Sequence, residues 1–272
     1  MPKNGTPILL YHSIDTRAAP GYKDWALPPS LFSEHMSVLS REGYTTWTIS
    51  QFVRESIIAC QPPPEKTVVI TFDDAFQDFA DNALPVLAEH QFAVTLYVPT
   101  GCVGKTASWL REEGEDGRCL MGWNQLRELS ATYPIEVGAH SCTHAHLDVM
   151  READARREIE ASKSVLEDHL GMSVTTFAYP YGHYDRSVRA WVEQAGFESA
   201  SAVREGFSSM YDDRFALARI TILGHTTAAE LQTLLREVRL PVAPFPDPLS
   251  EHLFRIYRKV RAGLKRHRAA TV

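Results

Sequence analysis

Short apolar or β-branched runs alternate with stretches of helical periodicity along nearly the whole sequence, and this alternation restricts the fold more than any other feature. The runs are Pro7–His12, Tyr44–Trp47, Val68–Phe72, Ala93–Pro99, Ile135–Ala139, Thr175–Tyr179, Ser199–Val203 and Ala218–Ile222. Helical patterns fall at about 30–42, 49–58, 79–90, 123–132, 153–170, 186–195 and 228–239. Thr227 and Glu230 form a capping box, and Asp185 is an N-cap candidate. Such an order belongs to parallel strands with helices packed outside them. Seven or eight such units predict an α/β fold, a single distorted (β/α) barrel over 1–240, in which chemistry collects at the C-terminal strand ends. Val68–Phe72 and Ala93–Pro99 are apolar without alternation, which fits burial on both faces.

Two segments break the pattern. Gly101–Cys119, rich in glycine and charge, reads as a long loop over the active face. Residues 241–248 contain four prolines and read as a connector to a basic amphipathic helix and tail over 249–272. A net charge of −6 excludes the global basic field that draws proteins to nucleic acid. The N-terminal apolar run is too short for a signal peptide, and Cys60, Cys102, Cys119 and Cys142 lie far apart, as reduced thiols do. The expectation is a soluble, cytoplasmic protein.

Chemistry-bearing residues sit where strands end. Asp73 and Asp74 follow Val68–Phe72; a bare Asp pair more often caps a helix, yet at a strand end one carboxylate can hold a metal while the other takes a proton. His140 and His144, four apart, follow Ile135–Ala139; alone they fit a capped helix start equally well. Together the two motifs offer one Asp and two His, a ligand set that leaves positions open for water and substrate. At a third strand end, Phe177-Ala-Tyr-Pro-Tyr-Gly182 carries a Pro and a Gly that set an unusual turn, able to aim a main-chain N–H at an oxyanion.

Thr71-Phe-Asp-Asp74, His140-Ser-Cys-Thr-His144 and Ala178-Tyr-Pro-Tyr-Gly182, in that order, resemble the first three motifs of the polysaccharide deacetylases (carbohydrate esterase family four, NodB-type domains). Val137-Gly-Ala-His140 and Leu120-Met-Gly-Trp123 are also similar to that family, over roughly residues 5 to 240. The resemblance implies that Asp74, His140 and His144 bind a divalent metal, zinc first and nickel, cobalt or manganese as alternatives. It implies Asp73 as general base and the Tyr181 N–H as oxyanion donor.

Two departures stand out. Many members have an arginine where this chain has Ala178, so a charge network built on it is expected to be missing. Among late histidines only His225 is placed to be the family's general acid, but it sits two residues before a helix cap. Pro7-Ile-Leu-Leu-Tyr-His12 instead resembles the opening strand of the poly-N-acetylglucosamine deacetylase subgroup, whose acid histidine is N-terminal. His12 is therefore the expected acid.

The activity implied is metal-dependent removal of an N-acetyl group from an amino sugar in a glycan, glycolipid or biosynthetic precursor. An O-acetyl esterase or N-deformylase would use the same ligands, and an inactive carbohydrate-binding barrel is the reading from another class. Trp25, Trp109 and Tyr184 are candidates to stack on sugar rings. In 249–268, Leu253, Ile256, Tyr257, Val260 and Leu264 form one stripe among basic residues. Two readings stay open: a final helix packed on the barrel, or peripheral contact with anionic membrane at the inner face.

Overall fold

The computed structural model describes residues 5–236, 240–246 and 257–261. Among the described residues there are eight strands: β1 (Ile8–Tyr11), β2 (Thr45–Trp47), β3 (Thr67–Phe72), β4 (Val94–Val98), β5 (Ile135–Ala139), β6 (Thr176–Ala178), β7 (Ser199–Glu205) and β8 (Leu217–Thr221). All their pairings are parallel. The order β1-β8-β7-β6-β5-β4-β3 closes through β1 against β3, giving a seven-stranded barrel. The expected eighth stave, β2, lies outside the barrel and pairs only with the first half of β3, Thr45 opposite Thr67 and Trp47 opposite Val69. Its residues are exposed or half-buried, and such a short, polar strand lacks the apolar side chains that burial on both faces demands.

Seven α-helices surround the strands among the described residues: α1 (Pro29–Arg41), α2 (Ile49–Phe52), α3 (Leu84–His90), α4 (Trp123–Thr132), α5 (Glu152–Leu170), α6 (Arg186–Gln194) and α7 (Ala228–Arg236). α2 widens into π turns over Val53–Ile58, and π turns over Phe79–Ala83 lead into α3. Both expected caps form. Asp185 Oδ1 accepts from the Val188 N–H at 2.9 Å, and Thr227 and Glu230 exchange bonds in both directions. The last residues of the expected 228–239 helix, 237–239, lie outside the described residues.

The period-two alternation of strands decides what reaches the site. Val68, Ile70 and Phe72 of β3, with Val94, Leu96 and Val98 of β4, face outward into the layer shared with Phe32, Leu126, Ile159 and Leu231 of the helices. Ile8, Val69, Tyr97, Ala178 and Leu217 face inward, and Ile49, Phe52 and Val53 close the barrel's N-terminal end. Counting on by twos from Val69 reaches Thr71 and Asp73; from Ile8, His12; from Leu217, Arg219. Gly138 serves this interior, since a Cβ there would stand 2.6 Å from the Tyr97 ring.

The proline-rich segment does not leave the barrel as a free connector. Val242 bridges to Phe207, Ser209 Oγ donates to the Ala243 carbonyl, and the Arg204 guanidinium lies over the Phe245 ring. Most of the expected 249–272 helix lies outside the described residues, but 257–261 is helical. There Arg258 bonds to Asp148, His146 and His183, and Lys259 to Asp185, while Tyr257 and Val260 are exposed. In this turn Arg258 and Lys259 reach back to the barrel while Tyr257, Val260 and Arg261 are exposed. No helix among the described residues is long and apolar enough to cross a membrane.

Candidate active site

At the C-terminal strand ends a cavity of about 250 Å³ is lined by His12, Asp73, Asp74, His140, His144 and Tyr181, together with Tyr22, Trp25, Trp109, Leu110, Glu113, Gly182 and Val203. Every candidate metal-binding or catalytic residue named from the sequence except His225 is thus in one place. His225 is exposed, 3.9 Å from Asp24, and lines a different cavity.

Asp73 and His140 arrive by strand register, but Asp74, His144 and Tyr181 arrive by bent backbone. Their φ values are +76°, +56° and +59°, and Ala75 and Ser141 beside them are also left-handed. Residues other than glycine in this region cost about 1–3 kcal/mol each, and persist where the surroundings over-determine them. The bend turns Asp74 into the cavity that simple alternation would have it face away from. In the third turn, Gly182 is held at φ +69°, and a Cβ on it would stand 2.4 Å from Val203 Cβ. Only glycine fits there.

Asp74 Oδ1 lies 3.3 Å from His144 Nε2 and 3.7 Å from His140 Nε2, and one ligand atom from each residue falls within 4.8 Å of the others. His140 Nδ1 stands 2.8 Å from the Ala178 carbonyl, a contact that requires the proton on Nδ1 and leaves the Nε2 lone pair facing Asp74. Asp74 Oδ1 is buried without a hydrogen-bond partner among the described residues. Burial, then Asp73 and Asp78, push the Asp74 carboxyl well above the ordinary range, while burial and His140 push His144 well down. An orphaned carboxylate oxygen facing two imidazole nitrogens suits a divalent cation, which would relieve both strains, and the O, N, N set suits zinc-type metals. The residues present fit such an ion.

Asp73 stands in a different environment. Arg219, fully buried on β8, grips it with two bonds, Nη1 to Oδ1 at 2.7 Å and Nη2 to Oδ2 at 2.9 Å. Arg219 also donates to the Ala202 carbonyl and lies over the Tyr97 ring. Burial raises the Asp73 carboxyl, but Arg219 and His140 outweigh it and hold the group below its usual range. Two adjacent aspartates are therefore driven in opposite directions by their partners. The expected loss of a charge network at Ala178 is corrected here: the guanidinium comes from the middle of β8, two staves away, which the interior of a barrel brings equally near.

His12 packs edge-on to Trp25, with ring centroids 5.0 Å apart, and its Nδ1 is buried with no partner among the described residues. Burial pushes it down to about 4, with Asp73 opposing and Arg219 and His140 assisting. It is neutral at pH 7 before any ligand binds. Of the aromatic candidates, Trp25 and Trp109 line the cavity, whereas Tyr184 stacks on Tyr179 with centroids 4.6 Å apart and does not line it.

A family model for polysaccharide deacetylases matches residues 61–200. The chain belongs to the polysaccharide deacetylase family. It is 27% identical over 218 residues to the putative polysaccharide deacetylase YxkH of Bacillus subtilis, covering 79% of this chain and 71% of that one. It is 23% identical to the poly-beta-1,6-N-acetyl-D-glucosamine N-deacetylase of Escherichia coli K12, over 76% of this chain but only 35% of the relative. In fold it is similar to the Streptococcus pyogenes deacetylase PplD, solved with acetate, at TM-score 0.74 and 24% identity over 86% of this chain and 99% of that one.

Within this polysaccharide deacetylase, sequence reasoning missed Arg219, Tyr22 and Glu113. Arg219 carried a readable signal, a lone charge in the mainly apolar strand Leu217-Ala-Arg-Ile-Thr221. Glu113 sits on the 101–119 loop, which the sequence placed over the active face without singling out this residue, and Tyr22 sits on a loop whose path no local pattern reveals.

Proposed function

We propose that this chain hydrolyses an N-acetyl group on an amino sugar, with Asp74, His140 and His144 holding a divalent metal, zinc by the chemistry of the donor set. The observation that carries the reading is the convergence of that triad with an Arg-clamped Asp73 in one aromatic-rimmed cavity. The ion supplies Lewis-acid polarisation and lowers the pKa of water toward about 7. Asp73, kept ionised by Arg219, accepts the proton of the attacking water. The main-chain N–H of Tyr181, presented by the left-handed turn, stabilises the oxyanion. His12 delivers a proton to the departing nitrogen. Neutral at rest, His12 must first take up a proton once substrate is bound and donates in that protonated form, while the proton that water loses to Asp73 returns to solvent at the end of the cycle.

Incubation of the metal-loaded protein with N-acetylglucosamine oligomers tests the reading. Release of acetate together with new primary amines is expected. Formate release, or acetate released only from O-acetylated sugars, would replace it by the deformylase or esterase reading. Binding without release would leave a carbohydrate-binding barrel.

The exposed Tyr257, Val260 and Arg261 favour peripheral contact of the tail with anionic membrane, which would bring the cavity to a lipid-linked amino sugar. Co-sedimentation with anionic vesicles is expected for the full chain and not for one ending at Pro248. Equal partitioning would end the membrane role.

A further inference from the structure

The loop over 101–119 is tied down at both ends. Thr106 and Cys119 form an antiparallel bridge, the Ala107 N–H bonds to the Arg118 carbonyl, and the buried Arg118 side chain donates to Asp78 and Ser13 at 2.8 Å each. These contacts fasten the loop to the ends of β1 and β3, the strands that deliver His12 and Asp73. On the far side, a Cβ at Gly21 would stand 3.0 Å from the Glu113 carbonyl, so the segment before Tyr22 lies directly against the Glu113 backbone. The loop is a built wall of the cavity.

From that wall come two polar groups that the deacetylation chemistry does not use. Trp109 stacks on the metal-site histidine His144, with centroids 4.7 Å apart and planes 23° apart, and its indole Nε1 is buried with no partner among the described residues. Glu113 also lines the cavity, and its Oε2 is likewise buried and unpaired. An unpaired buried polar atom is costly, so two of them in one cavity point to a ligand that satisfies both. They are of opposite sense: the indole only donates and the carboxylate only accepts. An ammonium group would leave the indole unpaired, and an acetyl carbonyl would leave the carboxylate unpaired. A hydroxyl both donates and accepts.

We propose that Trp109 and Glu113 form a specificity subsite that reads ring hydroxyls of the sugar whose amide is cut, Trp109 Nε1–H donating to one hydroxyl oxygen and Glu113 Oε2 accepting from a hydroxyl proton. The proposal rests on the deacetylase reading of the same cavity and names the part of the substrate held there. It assigns to Trp109 a donor role through its indole edge, in place of ring-face stacking on sugar.

The test measures kcat/KM of the full, metal-loaded chain on N-acetylglucosamine oligomers and on an aryl acetate, which has no ring hydroxyls. The readout is the ratio of the two. Glu113→Ala is expected to lower that ratio about 10- to 100-fold, the range for a hydrogen bond to a charged group. Glu113→Gln, which keeps an acceptor, is expected to restore most of it. Trp109→Phe, which keeps a ring on His144 and removes the donor, is expected to lower it as well. An unchanged ratio in Glu113→Ala overturns the subsite. Equal losses in the Gln and Ala variants show a need for charge and overturn hydroxyl reading in favour of an ammonium. Loss of bound metal in Glu113→Gln by elemental analysis makes the residue structural, which also overturns the subsite. If the unsubstituted chain cleaves the aryl acetate but no acetylated sugar, the deacetylase reading itself has failed.

Discussion

Arg219 holds both oxygens of Asp73 across 146 residues of sequence, inside a barrel where neither group meets bulk water. A buried pair of this kind is strongly destabilised when one partner is removed. Arg219→Met is expected to cost about 3–5 kcal/mol in unfolding free energy. It should also move activity, because burial then acts on Asp73 without the main opposing charge and raises its pKa. The acid limb of kcat/KM is expected to shift upward in pH, whereas in the native chain Asp73 stays ionised below the usual carboxylate range. An unshifted acid limb in folded Arg219→Met would separate Asp73 from the general-base role.

Metal content tests the triad. His144→Ala removes one of three ligands and is expected to abolish both stoichiometric metal and turnover, while the fold survives as judged by circular dichroism. His140→Ala is expected to do the same, with an added loss from the freed Ala178 carbonyl. Full metal retention in purified His144→Ala, by elemental analysis, would show that the triad is not the site.

For the proton donor, His12→Ala is expected to lower kcat about 10²-fold or more with metal intact, and His225→Ala to change it little. The reverse ranking would restore the late histidine. Burial of His12 also has a pH signature in metal-free protein. Its folded pKa of about 4 lies below the ordinary 6.5, so in that window the unfolded chain binds more protons. The contribution of His12 to stability is present above pH 6.5 and is lost as pH falls toward 4, by up to roughly 3 kcal/mol. Urea unfolding after chelation is expected to show a shallower pH dependence for His12→Gln than for the native chain; equal slopes would show that the imidazole titrates freely.

Gly182→Ala tests the turn that presents the Tyr181 N–H. The added methyl meets Val203, and φ +69° strains any residue with a Cβ. A loss of about 1–3 kcal/mol is expected, with kcat falling more than KM rises. Adding Val203→Ala should recover only a small part of the loss, because Val203 Cβ and N would still stand 2.4 and 2.8 Å from the new methyl. Complete recovery in the double variant would mean that the left-handed backbone carries no strain.

By itself the sequence determined the local layer of this protein. Apolar runs such as Val68–Phe72 mark strands buried on both faces, Asp185 and Thr227 mark helix starts, and Asp73, Asp74, His140, His144 and Tyr181 mark strand ends, because strand register and capping act over a few residues. Tertiary structure decided the rest. Closure of the barrel left β2 outside, set Arg219 against Asp73, brought Tyr22 and Glu113 to the cavity on loops, and buried His12 so that it rests neutral. These depend on which distant groups share one low-dielectric interior, and neither periodicity nor spacing along the chain encodes that proximity.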